Sequence, residues 1–147
     1  MNAPPPLAQT LPAAIDSVPV ARELAADLGS GLMEPGQLDN LTLVVTELVS
    51  NAIRHARSEE PVRIAMTPKD GYLCVQVTDA GRGLVPEPGA MGTEGGPGYG
   101  LFLVERLTRR WGMTREGGCT RVWVEIDFAE GPADDGPYER DAQRTAA

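Results

Sequence analysis

Between Asp79 and Gly100 the chain carries eight glycines (Gly81, Gly83, Gly89, Gly92, Gly95, Gly96, Gly98 and Gly100) and three prolines. Neither a helix interior nor a strand interior holds that density. Glycine loses the most backbone entropy on ordering, and proline removes a donor. The stretch is therefore a long loop that divides the chain into a piece before it and a piece after it. Loops of such length inside a compact domain usually carry function.

The piece before the loop has two helical patterns and then two strand patterns. Ala21, Leu24, Ala25 and Leu28 share one face of a helix predicted over residues 17–29, with Ser17 as its N-cap, Pro19 in its first turn and Gly29 and Gly31 ending it. A second helix runs from Pro35 or Leu38 to Ala56, with Leu41, Val44, Val45, Leu48 and Ala52 as its buried stripe. Val62, Ile64 and Met66 then alternate with polar or small residues, as do Leu73, Val75 and Val77; Pro68-Lys69-Asp70-Gly71 joins the two as a hairpin. After the loop, a third helix begins near Tyr99 to Leu101 and carries Leu101, Val104 and Leu107. A last strand follows Glu116-Gly117-Gly118, with Thr120, Val122, Val124 and Ile126 on one face. The order α, α, β, β, loop, α, β predicts an α+β two-layer sandwich with helices on one face of the sheet.

Both ends read as tails. Residues 1–15 hold four prolines and no period, and residues 129–147 are Gly, Pro and charge with almost nothing apolar, so both are expected to be disordered. Residues 16–128 form the expected domain, which 147 residues suit.

Charge and composition narrow the function classes. Thirteen Lys and Arg against 21 Asp and Glu leave a net charge of −8, against general affinity for nucleic-acid backbone or anionic membranes. No apolar run is long enough to span a bilayer, and the N-terminus lacks the pattern of a secretory signal. Two cysteines, Cys74 and Cys119, make neither a disulfide framework nor a zinc set. The expectation is a cytoplasmic protein. Cys74, on the opposite strand parity from Leu73 and Val75, faces solvent or a partner. Trp111 and Trp123 are packing residues, and Arg109 and Arg110 a solvated helix end.

Three constellations carry chemistry. On the second helix Glu47, Asn51 and His55 stand four apart, so a carboxylate, an amide and an imidazole line one edge of the apolar stripe. Taken alone, that row is also what an ordinary amphipathic boundary presents. Asp79 ends a strand and is followed by Ala80-Gly81-Arg82-Gly83. A carboxylate held by glycines suits a charge-assisted bond to a base amino group, although Asp and Gly are common in plain turns too. Gly95-Gly96-Pro97-Gly98-Tyr99-Gly100-Leu101 opens a helix, where free N–H groups and the helix dipole favour phosphate. By itself it serves equally as a connector.

Together and in this order, these residues resemble the GHKL ATPase superfamily. Glu47-Leu-Val-Ser-Asn51-Ala-Ile-Arg-His55 is similar to its N box, Asp79-Ala-Gly81-Arg-Gly83 to its first glycine box, and Gly98-Tyr-Gly100-Leu101 to its second. Within the superfamily the likeness is to the short bacterial anti-sigma-factor serine/threonine kinases, and it covers about residues 12–127. The resemblance implies a Bergerat-type sandwich with a mixed, mostly antiparallel sheet.

The resemblance also implies roles. Asn51 would coordinate Mg²⁺ beside the triphosphate of ATP, and Glu47 would be the general base. His55 would lie near the phosphates, or else pack or cap the helix end. Asp79 would accept the adenine amino group, with Gly81 and Gly83 as the floor and Thr120 in support; Thr120 is equally explicable as a strand residue. Gly98, Tyr99, Gly100 and Leu101 would meet the phosphates. The implied reaction is phosphorylation of an anti-anti-sigma (STAS-type) protein by a kinase that also sequesters a sigma factor, as a homodimer pairing through the first helix near Arg22. The alternative is a non-catalytic, nucleotide-gated module that holds a sigma factor or other regulator. No direct contact with nucleic acid or membrane is expected.

Overall fold

The computed structural model describes residues 5–55, 59–80 and 99–130. Its elements are β1 (Leu7–Leu11), α1 (Ser17–Gly29), α2 (Pro35–His55), β2 (Val62–Pro68), β3 (Tyr72–Ala80), α3 (Tyr99–Leu107), β4 (Arg110–Glu116) and β5 (Cys119–Asp127). The strands form one sheet in the order β1-β2-β3-β5-β4. The architecture is the expected α+β sandwich, and the sheet, expected to be mixed but mostly antiparallel, is antiparallel at every pairing among the described residues. Tight hairpins fix β2 against β3 and β4 against β5. The α3 crossover runs β4 parallel to β3 yet sets it at the edge, and β5 returns between them.

The helices cover one face. α2 packs on β2, β3 and β5, and α1 packs on α2. Its predicted stripe is the centre of the core: Leu41, Val44, Val45, Leu48 and Ala52 are all buried, facing Ile64, Met66, Val75 and Val124 from the sheet. Two glycines sit at close approaches, the second against a rigid ring. A Cβ on Gly29 would stand 2.8 Å from Leu38 Cδ1, where the end of α1 meets α2; one on Gly112 would stand 2.6 Å from the Trp123 ring on the uncovered face.

Three expectations are corrected. The N-terminal segment is not wholly a tail, since Leu7–Leu11 pairs with β2 from Leu7↔Met66 to Leu11↔Val62. With exposed Gln9 between Leu7 and Leu11 there is no apolar alternation to recognise, and ladder hydrogen bonds hold this edge strand. Ser17 does not cap α1; its hydroxyl donates to the Pro12 carbonyl at 2.6 Å, tying β1 to the helix. Arg109 and Arg110 are not a helix end. Arg110 opens β4, a strand the sequence reading passed over because only Trp111 and Met113 mark its inner face. Both arginines lie within 4.0 Å of Glu125, and Arg109 Nη1 is 3.4 Å from Asp127.

Cys74 is half-buried on the uncovered face, as its parity requires. The tail expected over 129–147 lies outside the described residues from position 131 onward; Glu130 N–H donates to Glu34 Oε1 at 3.2 Å.

Candidate nucleotide site

A sheet and helices built this way bury few polar side chains, and those few are informative. Among the described residues they are Ser17, Asn51, Asp79, Thr108 and Thr120. Ser17 and Thr108 have local explanations, their hydroxyls donating to the carbonyls of Pro12 and Val104. The other three are residues the motifs singled out.

Asp79 and Thr120 are brought together by register. They are direct partners across β3 and β5, one residue from the end of the former and one from the start of the latter. Both point to the helix side, with Asp79 4% and Thr120 1% exposed. Asp79 Oδ1 is buried and has no hydrogen-bond partner among the described residues. A buried carboxylate oxygen in that state costs free energy unless something donates to it. Burial pushes the Asp79 carboxyl up to about 6, and the Arg115 guanidinium pulls the other way.

Asn51 is 8% exposed on α2, one turn beyond Glu47, which is half-buried. Its amide oxygen accepts a bond from Arg54 Nη2 at 3.2 Å. His55 is the last residue of α2. Tyr99, Gly100 and Leu101 open α3, so the second glycine box does end at a helix N-terminus. Gly81, Gly83 and Gly98 lie outside the described residues. Among those described, no group of three or more His, Cys, Asp and Glu stands together to hold a metal.

Two residues escaped the sequence reading. Arg54 carried a usable signal, since it lies three residues after Asn51 and so on the same side of the helix. Arg115 carried none, because its place beside Thr120 depends on the β4–β5 pairing.

The profile of the histidine kinase-like ATPase domain matches residues 11–126. The chain belongs to that family. The family assignment makes it an ATP-binding domain of the kinase and ATPase class, and the buried Asp79 oxygen fits a nucleotide base. The chain is similar to the sensor histidine kinase MtrB of Mycobacterium bovis and Mycobacterium tuberculosis, at 30% identity over an alignment 103 positions long that covers 56% of this chain. It spans 18% of the length of those relatives. Its fold is shared with a crystal structure of the RsbU and RsbW domains of Rv1364c from Mycobacterium tuberculosis, with a TM-score of 0.68 and 19% identity. That match covers 84% of this chain and 32% of the other. No helix among the described residues of this ATPase domain is long and apolar enough to cross a membrane.

Proposed function

We propose that this domain is an ATP- and Mg²⁺-dependent serine/threonine protein kinase of the anti-sigma type. It would phosphorylate an anti-anti-sigma, STAS-type protein and sequester a sigma factor, working as a cytoplasmic homodimer. The observation that carries the nucleotide part is Asp79: a buried carboxylate oxygen without a partner among the described residues, beside Thr120, where an adenine amino group would donate. The family match and the likeness to a structure containing an RsbW domain support the branch.

The chain's own groups then have distinct tasks. Asp79 and Thr120 fix the base. Gly98, Tyr99, Gly100 and Leu101 meet the phosphates, the last three at the start of α3. Asn51 Oδ1 would hold a magnesium ion, which when bound supplies charge neutralisation to the triphosphate. That oxygen also accepts a bond from Arg54 Nη2, and its second lone pair remains for the ion. Glu47, one turn before Asn51, takes the proton from the acceptor hydroxyl. That oxygen bonds to the γ-phosphorus, the bond to the bridging oxygen breaks, and ADP leaves with the electron pair.

The test is phosphate transfer from γ-labelled ATP in a native-host lysate lacking this protein, comparing wild type with Glu47→Ala. A small acceptor labelled only by wild type establishes the kinase and identifies its partner. No wild-type-specific band, with ATP binding intact, assigns the non-catalytic module instead.

A further inference from the structure

The row that contains Asp79 and Thr120 extends one strand further. Arg115 on β4 is the direct partner of Thr120 on β5, which is the direct partner of Asp79 on β3. Alternation puts Arg115 on the same side of β4 as buried Trp111 and Met113, hence on the same side as Asp79. Two strand spacings, about 10 Å between backbones, separate it from Asp79. In the cross-strand row Thr120, a short side chain, is the residue between them, so an extended arginine spans most of that gap. Arg115 is exposed, and it forms no ion pair within 4.0 Å with a described residue.

We propose that Arg115 is a positioning residue of the nucleotide site, which reaches over Thr120 to hold negative charge on Asp79 for the base amino group. The inference rests on the nucleotide reading above and adds a residue to it. The other charged groups on elements packed against β3 do not replace Arg115. Arg63 and Arg121 flank Thr78 in the register and so stand on the opposite face. Glu47 and Arg54 belong to α2, where Arg54 is engaged with Asn51. Burial disfavours the Asp79 anion, and Arg115 is the charge that counters it. An exposed cation does this without itself being desolvated, and its long side chain leaves room for a ligand.

The experiment follows the Asp79 carboxyl by carbon-detected NMR in the nucleotide-free full chain, over about pH 4 to 9, in wild type, Arg115→Gln and Arg115→Lys. ADP affinity is measured over the same range by calorimetry. The expected result is an upward shift of the Asp79 midpoint in Arg115→Gln, with a matching upward shift in the pH at which ADP binding reaches half its maximum. Arg115→Lys restores both. An unchanged Asp79 midpoint in Arg115→Gln overturns the proposal, as does a shifted midpoint with an unmoved ADP profile. Failure of wild type to bind ADP would instead overturn the nucleotide reading, and the NMR titration separates that outcome from the first two.

Discussion

Asp79 and Thr120 face each other across β3 and β5 on the covered side of the sheet, and Asp79 Oδ1 has no partner among the described residues. An antiparallel pair at this position in a stable core would normally be apolar. The fold thus carries an internal cost at the point where the nucleotide reading needs an acceptor, the pattern expected when stability is given up for binding.

Asp79→Asn separates those two effects. Its carboxyl titrates near 6 in the fold, against 3.8 for the unperturbed group. At neutral pH the anion therefore destabilises the native state, on the order of 2–3 kcal/mol for a shift of that size. The neutral amide removes that term, so the variant should melt at a higher temperature at neutral pH. It should also bind ADP more weakly, by about 1.5–3 kcal/mol, through loss of a charge-assisted bond. Calorimetric melting and titration of the two proteins check both directions.

The same shift sets a pH dependence. Because the folded value lies above the unfolded one, the native state binds the extra proton between about pH 4 and 6. The Asp79 contribution thus favours the fold below that window, fades through it and is lost above about 6. Nucleotide binding runs the other way, strengthening as pH rises through about 6 and the carboxylate forms. Wild-type stability minus that of Asp79→Asn, measured by urea unfolding across this range, should fall as pH rises and then level off.

Glu47 and Asn51 lie one turn apart on α2 yet should fail differently. Glu47 is half-buried, so Glu47→Ala should leave the fold and ADP binding unchanged while abolishing phosphate transfer. Asn51→Ala should bind ADP without metal nearly as well as wild type and lose the gain that Mg²⁺ adds. It also deprives Arg54 of its acceptor, at about 1 kcal/mol of stability. Binding with and without Mg²⁺, beside a transfer assay, distinguishes the two roles.

The parts of this architecture with strong periodicity were legible in the sequence. The stripe Leu41, Val44, Val45, Leu48 and Ala52 is the buried face of α2, and the β2–β3 hairpin turns at Gly71 with a positive φ of 90°. Both edge strands were missed for one physical reason. β1 shows partly buried Leu7 and buried Leu11 around Gln9, and β4 shows Trp111 and Met113 before Arg115, so an edge with one or two inward apolar side chains leaves too short an alternation to read. In the candidate site, motif spacing points to Glu47, Asn51 and Asp79. Arg115 was not, since strand register is a tertiary property.

Gly112 should tolerate nothing larger. A Cβ there would lie 2.6 Å from Trp123 Cζ2 and 2.8 Å from Nε1, so the indole must move off the sheet. That ring also sits under the Arg110 guanidinium, 5.8 Å from its centroid. Gly112→Ala should therefore destabilise by about 1–3 kcal/mol and shift the Trp123 fluorescence to longer wavelength as the ring gains water. Because Trp123 is on the face away from Asp79, ADP affinity should hold in the folded variant.

Leu11 tests whether the N-terminal strand belongs to the domain. It is 4% exposed, pairs with Val62 and lies next to Pro12, whose carbonyl takes the Ser17 hydroxyl. Truncation to alanine leaves a cavity between β1, β2 and the start of α1, so Leu11→Ala should lose about 2–3 kcal/mol. Gln9→Ala, at an exposed position on the same strand, should change stability by less than about 0.5 kcal/mol. If β1 were a tail, the two substitutions would be equally silent. Urea unfolding of the pair, with hydrogen exchange at the β1 amides, decides between a strand that melts with the core and a segment that frays independently.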